Sequence, residues 1–447
     1  MAETTIILDA DQRRALELML SGRNVFLTGK AGTGKSSVLR RFSELSPTCT
    51  VFLAPTGVAA LNIGGGTIHR FFCLQPSILP PGYVSTIRSE QEEVIRTVKT
   101  IVIDEISMVR ADVLTAIDSI LRHLAPAACR HLAFGGKQVI VVGDFCQLSP
   151  VVTSQEDVQQ LERDFGGIYA FETRVWSQAN FATAALNEPH RQALDATYVE
   201  MLDVLRQGRQ DQSGADPNTC IAWLNQRVKI GAPPRDVTAL CTSRCAAAVI
   251  NCRRDVELPA PSVFSNAVVQ GHFEFDAYPT DMRLEYRIGS RVMLLRNATE
   301  EWGFEYVNGD MGVVINCHPD LWAVSVLLDN GRCVCVKAHT WRNYEYTIAT
   351  EPDTGLPFID QREVGWFTQL PMKLAYAITI HKSQGLSMDK AHIHLGWGTF
   401  SSGQLYTALS RCRSLAGLSF ERELKPEDIK LDPAVAEFQK QLASPQS

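Results

Sequence analysis

Read for its hydrophobic pattern, the first part of the chain alternates short apolar runs with polar or amphipathic stretches. The runs fall at Val25-Phe-Leu-Thr-Gly29, Thr50-Val-Phe-Leu-Ala-Pro55, Thr100-Ile-Val-Ile-Asp104, Gln138-Val-Ile-Val-Val-Gly-Asp144 and again near residue 182. Runs this short and this continuously apolar suit strands buried on both faces of a parallel sheet. With helices or turns between them they predict one doubly wound α/β domain over residues 1–187. Apolar positions at helical spacing behind an aspartate predict a first helix over 9–21, and a second follows from Ser36 to Leu45. Residues 74–98 break the pattern with Pro76, Pro80, Pro81 and Gly82 before a polar helix from about Thr86, and read as a small insertion.

After a connection at Asn187-Glu-Pro-His-Arg191 the chain continues helical to about Gln207, then crosses a polar surface loop at 211–219. A second α/β unit starts at the strand Val237–Ser243 and the helix Arg244–Arg254. From 258 to 366 the pattern changes to short β segments with the hairpin dipeptides Asn308-Gly309 and Asn330-Gly331, which predicts an inserted small β barrel. The α/β pattern resumes at Lys373–Gly385 and ends at Gln404–Arg413. The expected organisation is therefore a first domain over 1–187 with an insertion at 74–98, a second over 188–257 and 367–447, and a β-rich insertion over 258–366.

Composition changes this picture little. At 447 residues, with 45% hydrophobic and 21% charged positions, the chain is ordinary for a soluble globular protein of about three domains. A net charge of −6 means that any nucleic-acid partner must be held in a local groove rather than by overall basicity. No run approaches the length of a membrane span, and the acidic start lacks the basic and apolar segments of a secretory signal. The expectation is a soluble, unsecreted protein with no membrane partner. Its 12 cysteines lack a Cys-x-x-Cys pair, Cys241/Cys245 and Cys333/Cys335 being the nearest spacings, and read as reduced structural thiols.

The chemistry is concentrated at the ends of the predicted strands. The first runs into Gly29-Lys-Ala-Gly-Thr-Gly-Lys-Ser36, a Gly-x-x-x-x-Gly-Lys-Ser phosphate cradle. Its residues Gly29, Ala31, Gly32, Thr33, Gly34, Lys35, Ser36 and Ser37 wrap phosphate with backbone N–H groups at a helix N-terminus. Lys35 reaches the β and γ phosphates and Ser36 ligates magnesium. The strand ending in Asp104-Glu105 presents a metal-binding and a water-orienting carboxylate beside such a loop. Gln147, just past another strand of the sheet, is a candidate γ-phosphate sensor. One cradle and two α/β units suggest a nucleotide held between domains, with Arg191 and Arg411 as candidate charge stabilisers; each also reads as an ordinary surface arginine. Gln12, near the start of the first helix, reads by itself as an ordinary solvated glutamine. The stretch Gly64-Gly-Gly-Thr-Ile-His-Arg-Phe-Phe72 reads either as a backbone-hugging nucleic-acid site or as a flexible loop with a buried phenylalanine pair.

In combination, Gly-Lys-Ala-Gly-Thr-Gly-Lys-Ser (29–36), Ala-Pro-Thr-Gly-Val-Ala-Ala (54–60), Gly-Gly-Thr-Ile-His-Arg-Phe-Phe (65–72), Ile-Asp-Glu-Ile-Ser-Met-Val (103–109) and Val-Gly-Asp-Phe-Cys-Gln-Leu-Ser-Pro-Val (142–151) form an ordered set. With Ile-His-Lys-Ser-Gln-Gly-Leu-Ser (380–387) and Tyr-Thr-Ala-Leu-Ser-Arg-Cys (406–412) they strongly resemble the petite-integration-frequency helicases of superfamily 1, branch B. The match runs from Gln12 to about Leu418. The resemblance implies two RecA-like P-loop domains, a wedge-type insertion in the first and an SH3-like insertion in the second. It also implies ATP- and Mg2+-driven 5′ to 3′ movement on single-stranded DNA and at single-strand/duplex junctions, without sequence preference. By the same carry-over Gln12 contacts adenine, Gln384 and Gly385 lie at the nucleotide, and Arg191 and Arg411 are arginine fingers. Thr56, Gly57, Thr67 and His69, with His381 and Ser383, contact DNA. Leu148-Ser149-Pro150 departs from the family's usual Leu-Pro-Pro. The short flanks outside the motifs suggest a bare motor core of bacterial or viral type, cytoplasmic and monomeric. A translocase without strand separation, or an ATP-gated DNA-binding switch, would share most of these residues.

Overall fold

The computed structural model describes residues 8–46, 49–152, 154–188, 195–208, 216–273, 275–300, 303–351 and 355–443. The chain forms two compact units, one built from 1–190, 344–362 and 433–447 and the other from 191–343 and 363–432.

In the first unit, helix α1 (Ala10–Leu20) opens behind Asp9, whose carboxylate accepts from the Gln12 N–H while the Gln12 amide oxygen accepts from the Asp9 N–H, a reciprocal cap. It is followed by β1 (Val25–Gly29), α2 (Lys35–Leu45), β2 (Thr50–Ala54), α3 (Gly57–Asn62), β3 (Gly66–Thr67) and α4 (Ile68–Phe71). Then come α5 (Ser89–Thr97), β4 (Thr100–Ile103), α6 (Ala111–Leu124), β5 (Gln138–Val142), α7 (Gln155–Phe165), α8 (Arg174–Ala179) and β6 (Ala182–Leu186). The six strands pair in the order β3-β2-β4-β5-β1-β6, and every pairing is parallel. All of β1 and β4 is buried, as their apolar runs require. Val25 and Leu27 of β1 pack with Val38 and Phe42 of α2, so the strand and the helix on either side of the glycine loop share one core.

The insertion at 74–98 is tied down by polar contacts. The buried Asp112 carboxylate accepts from the Leu79 N–H at 2.9 Å and pairs with Arg110, whose guanidinium also donates to the Ser77 carbonyl. Ser85 donates to the Phe72 carbonyl at 2.6 Å, and Gln91 to that of Phe71 at 2.8 Å.

Two later segments complete this unit. Tyr346 makes hydrogen bonds through its hydroxyl to both the N–H and the carbonyl of Phe52, and Arg70 pairs with Glu345 at 2.9 Å. The C-terminal helix Pro433–Ala443 brings Phe438 onto Phe171, near-parallel with ring centroids 4.3 Å apart, and within 5.5 to 6.1 Å of Phe145, Trp176 and Phe26. Both segments depart from the expected boundaries, which assigned 344–362 to the β insertion and 433–447 to the second domain. Aromatic packing and main-chain hydrogen bonds decide the matter, and these are contacts between distant parts of the sequence.

The second unit holds a parallel sheet in the order Ala377–Thr379, Ala239–Cys241, Ala391–His394, Leu418–Phe420, Lys229–Ile230. Between its halves lies the β-rich insertion, whose antiparallel five-stranded sheet runs Cys333–Lys337, Ala323–Leu328, Met311–His318, Arg291–Leu294, Met372–Leu374. Met372 is buried in this insertion's core and pairs with Leu294, so the β-rich part extends past the expected end at 366. Among the described residues no helix is long and apolar enough to cross a membrane.

Candidate nucleotide and nucleic-acid site

β1 ends in the glycine loop, and two positions there exclude a side chain for different reasons. A Cβ at Gly29 would lie 2.6 Å from the Leu186 carbonyl oxygen, and Gly34, which starts α2, adopts φ +81. Thr33 is buried and donates from its hydroxyl to the Lys30 carbonyl at 3.0 Å. The Lys35 ammonium folds back over the loop and donates to the carbonyls of Gly29 at 2.7 Å and Lys30 at 3.1 Å. This is a cationic side chain poised over a ring of main-chain groups, the arrangement a polyphosphate needs. Ala31 is buried, and Ser36 and Ser37 lie in the first turn of α2.

Gln12 is buried, so the reading of it as a solvated glutamine does not hold. Its side-chain N–H donates to the Thr33 carbonyl at 3.1 Å while its oxygen serves the α1 cap. It therefore ties the start of α1 to the phosphate loop. Gln12→Ala is expected to loosen the phosphate loop and raise the KM for ATP about tenfold, the effect of one lost amide contact near 1.4 kcal/mol. Steady-state hydrolysis over a range of ATP concentrations checks this.

β4 delivers Asp104 and Glu105 at its carboxyl end, and the Asp104 N–H donates across to the Leu53 carbonyl. The surrounding protein strips water from the Asp104 carboxyl and pushes it up to about 6. A hydrogen bond from the Glu105 N–H at 2.8 Å and, less strongly, the Lys35 ammonium pull the other way. Glu105 itself sits at φ 53, ψ 46, a left-handed conformation costly for a residue with a Cβ. Such a position aims its side chain away from the strand direction and marks a functional turn. The serine hydroxyl of Ser36 with the Asp104 carboxylate and phosphate oxygens is a hard-oxygen set suited to Mg2+, which supplies charge neutralisation when bound. No cluster of three or more His, Cys, Asp or Glu competes as a metal site among the described residues.

β5 ends at Val142, and the loop after it is built around Asp144, a residue to which the sequence pattern gave no role. Its buried carboxylate accepts from the Cys146 N–H at 3.2 Å and lies 3.5 Å from the Gln147 amide nitrogen, while its carbonyl accepts from the Gln147 N–H. The signal was present in Val-Gly-Asp at a strand end. Ser149, where the family pattern departs, is buried within this loop.

At the same end of the sheet, Thr56 caps α3 by accepting from the Ala59 N–H, and Thr67 caps α4 by accepting from the Arg70 N–H. Thr56 lies just past β2 and Thr67 is the last residue of the neighbouring β3, paired with Ala54, while Gly57 opens α3. His69 is half-buried, and burial lowers its pKa, the Arg110 charge adding to that, so it is neutral at pH 7. Of the two readings of this loop, the phenylalanine pair is indeed core: Phe71 and Phe72 are buried and meet edge to face at 4.9 Å.

In the second unit, His381 and Ser383 lie on a one-turn helix after Ala377–Thr379, followed by the half-buried Gln384 and by Gly385 at φ +80. Two of the expected residues turn their side chains inward. Ser383 is fully buried and its hydroxyl donates to the Ile380 carbonyl at 2.8 Å, which fits the backbone type of DNA contact expected there rather than one through its side chain. Arg411 is not a projecting arginine: the residue is 2% exposed, and its guanidinium donates to the Thr407 carbonyl, the Ser383 carbonyl and the Ser410 hydroxyl. Buried carbonyls compete with solvent for the charge, and here they win. Arg191 lies outside the described residues.

Fold and site together define a P-loop protein with two RecA-like units. The chain belongs to the PIF1-like helicase family, whose model matches residues 7–213. It is 32% identical to the ATP-dependent DNA helicase Pif1 of Bdellovibrio bacteriovorus over 98% of this chain and 92% of that protein. Against the human ATP-dependent DNA helicase PIF1 it is 33% identical over 96% of its own length, and it spans 63% of the length of that relative. The solved Bacteroides sp. Pif1 in complex with ADP-AlF4 superposes with a TM-score of 0.86 at 31% identity, covering 99% of this chain and 98% of that one. The same helicase bound to single-stranded DNA gives 0.66 at 32% identity, covering 98% and 97%.

Proposed function

We propose that this chain is an ATP-dependent DNA helicase that moves 5′ to 3′ along single-stranded DNA and separates duplex or structured DNA. One observation carries the proposal: a polyphosphate cradle, two acidic side chains and a glutamine follow β1, β4 and β5, while threonine-capped turns follow β2 and β3 of the same parallel sheet. Nucleotide and strand thus address one rigid element, which is how hydrolysis is coupled to movement. Lys35 and Ser36 serve phosphate and Mg2+, Asp104 the metal, Glu105 the attacking water and Gln147 the γ phosphate. Gln12, Gln384 and Gly385 hold the nucleotide, and Arg191 and Arg411 are the arginine fingers. Arg411 reaches that role only by exchanging its carbonyl partners for phosphate oxygens.

Thr56, Gly57, Thr67, His69 and His381 hold the strand through backbone-type contacts, which carry no sequence preference. Residues 74–98 act as the wedge at single-strand/duplex junctions. The protein acts in the cytoplasm as a monomer, in DNA replication, repair or recombination. The relatives named as ATP-dependent DNA helicases, and the related chain solved with single-stranded DNA, support this reading.

Strand displacement with ATP and Mg2+ on duplexes carrying a 5′ or a 3′ single-stranded tail tests it. Opening of the 5′-tailed duplex alone is the expected result. Opening of the 3′-tailed one alone would reverse the direction, and DNA-stimulated hydrolysis without opening of either would leave a translocase or switch.

A further inference from the structure

We propose that the loop Gly396–Gly403 of the second unit is a base-stacking site for single-stranded DNA, built from Trp397, Phe400 and the imidazole of His381. The inference rests on the reading of the chain as a single-strand-binding protein, and adds a contact of a different chemical kind to the backbone-type contacts proposed above.

The loop leaves the carboxyl end of the strand Ala391–His394, and His381 follows the carboxyl end of Ala377–Thr379 in the same parallel sheet, so both emerge at the edge where ligands of such sheets gather. Trp397 is 108% exposed and Phe400 62%; among the described residues no other tryptophan is exposed. An indole left in water in this way is what an aromatic contact to a partner requires.

The loop is not slack. The Gly396 N–H donates to the Glu421 carboxylate at 2.9 Å and its carbonyl accepts from Arg422 at 3.1 Å. The Gly398 N–H donates to the Leu395 carbonyl, the Thr399 hydroxyl to the Asp428 carbonyl at 2.9 Å, and the Phe400 N–H to the Gln404 side chain at 3.1 Å. Trp397 is thus presented by a backbone already fixed, and binding orders little more than one side chain.

The Phe400 ring lies 13° from parallel to the His381 imidazole, with centroids 6.4 Å apart, so a flat base laid along one is aligned with the other. Burial, and then the Arg244 charge, lower the His381 pKa, which keeps the imidazole neutral at pH 7. Arg244 and Lys382 are exposed and make no ion pair among the described residues, which leaves cationic partners for the phosphates flanking a stacked base. Aromatic faces beside cations fit any base, and so suit a protein that does not read sequence.

The test compares the full chain with Trp397→Ala and Trp397→Phe, binding a labelled oligothymidylate and an abasic oligomer of equal length that keeps the phosphates and lacks the bases. Trp397→Ala is expected to weaken oligothymidylate binding about 5- to 150-fold, to leave abasic binding unchanged, and to be largely rescued by Trp397→Phe. Unchanged affinity for both oligomers in Trp397→Ala overturns the stacking site and leaves the helicase reading standing. Equal weakening on both also overturns it, because the loop then acts through phosphates or through structure. Loss of self-association in Trp397→Ala with DNA affinity intact assigns the surface to a second copy of the chain instead. A wild-type chain that binds neither oligomer overturns the single-strand reading itself.

Discussion

Lys35→Ala lowers ATP turnover by at least about 10²- to 10³-fold, the range for loss of one preorganised charge at a transferring group, and leaves the chain folded. The structure gives the reason for both halves. The ammonium donates to the Gly29 and Lys30 carbonyls, and its proposed role is to exchange them for the β and γ oxygens of a bound nucleotide. Its removal also deprives Asp104 of a neighbouring positive charge that holds its carboxyl down, so the metal-binding carboxylate becomes harder to ionise at neutral pH. The fold loses two hydrogen bonds at a half-buried site, about 1 kcal/mol each, against a buried sheet that is otherwise untouched. Phosphate release at saturating ATP and a circular-dichroism melt check the two parts. A variant with normal turnover would sink the site assignment.

Glu105→Gln separates binding from chemistry. Glutamine keeps the size and the left-handed backbone cost of glutamate but cannot orient and accept from the attacking water as a carboxylate does. Turnover is expected to fall about 10²- to 10⁴-fold with KM changed little. Single-turnover hydrolysis beside equilibrium nucleotide binding makes the distinction. A rise in KM with kcat preserved would mean that Glu105 holds substrate and that another group positions the water.

How far these residues could be read from the sequence depended on how local their signal was. The cradle, Asp104 and Glu105 follow apolar strands directly, and a strand buried on both faces is written as an unbroken run such as Ile101-Val-Ile103. Direction was harder. Nothing near Arg411 reveals that its guanidinium turns toward Thr407 and Ser383, because that choice is made by carbonyls brought together in three dimensions. The inward turn of the Ser383 hydroxyl is set in the same way. Gln12 looked like any polar residue of a first helical turn, and only its bond to the Thr33 carbonyl shows what it holds. The strand Met372–Leu374 carries Lys373 at its centre and resembled the start of the α/β pattern, although Met372 belongs to the β core. Tyr346 and Phe438 lay furthest from view, since the groups they meet come from the first half of the chain.

The placing of Phe438 also bears on how the protein is made. The aromatic face formed by Phe26, Phe145, Phe171 and Trp176 is in place once β6 has left the ribosome, but the ring that covers it is synthesised last. At about 5 to 20 residues per second, the interval between the end of β6 at Leu186 and Phe438 is roughly 13 to 50 s. During that time the nascent nucleotide-binding unit displays a sticky aromatic surface. A chain stalled before Pro433 keeps that surface uncovered for as long as it survives.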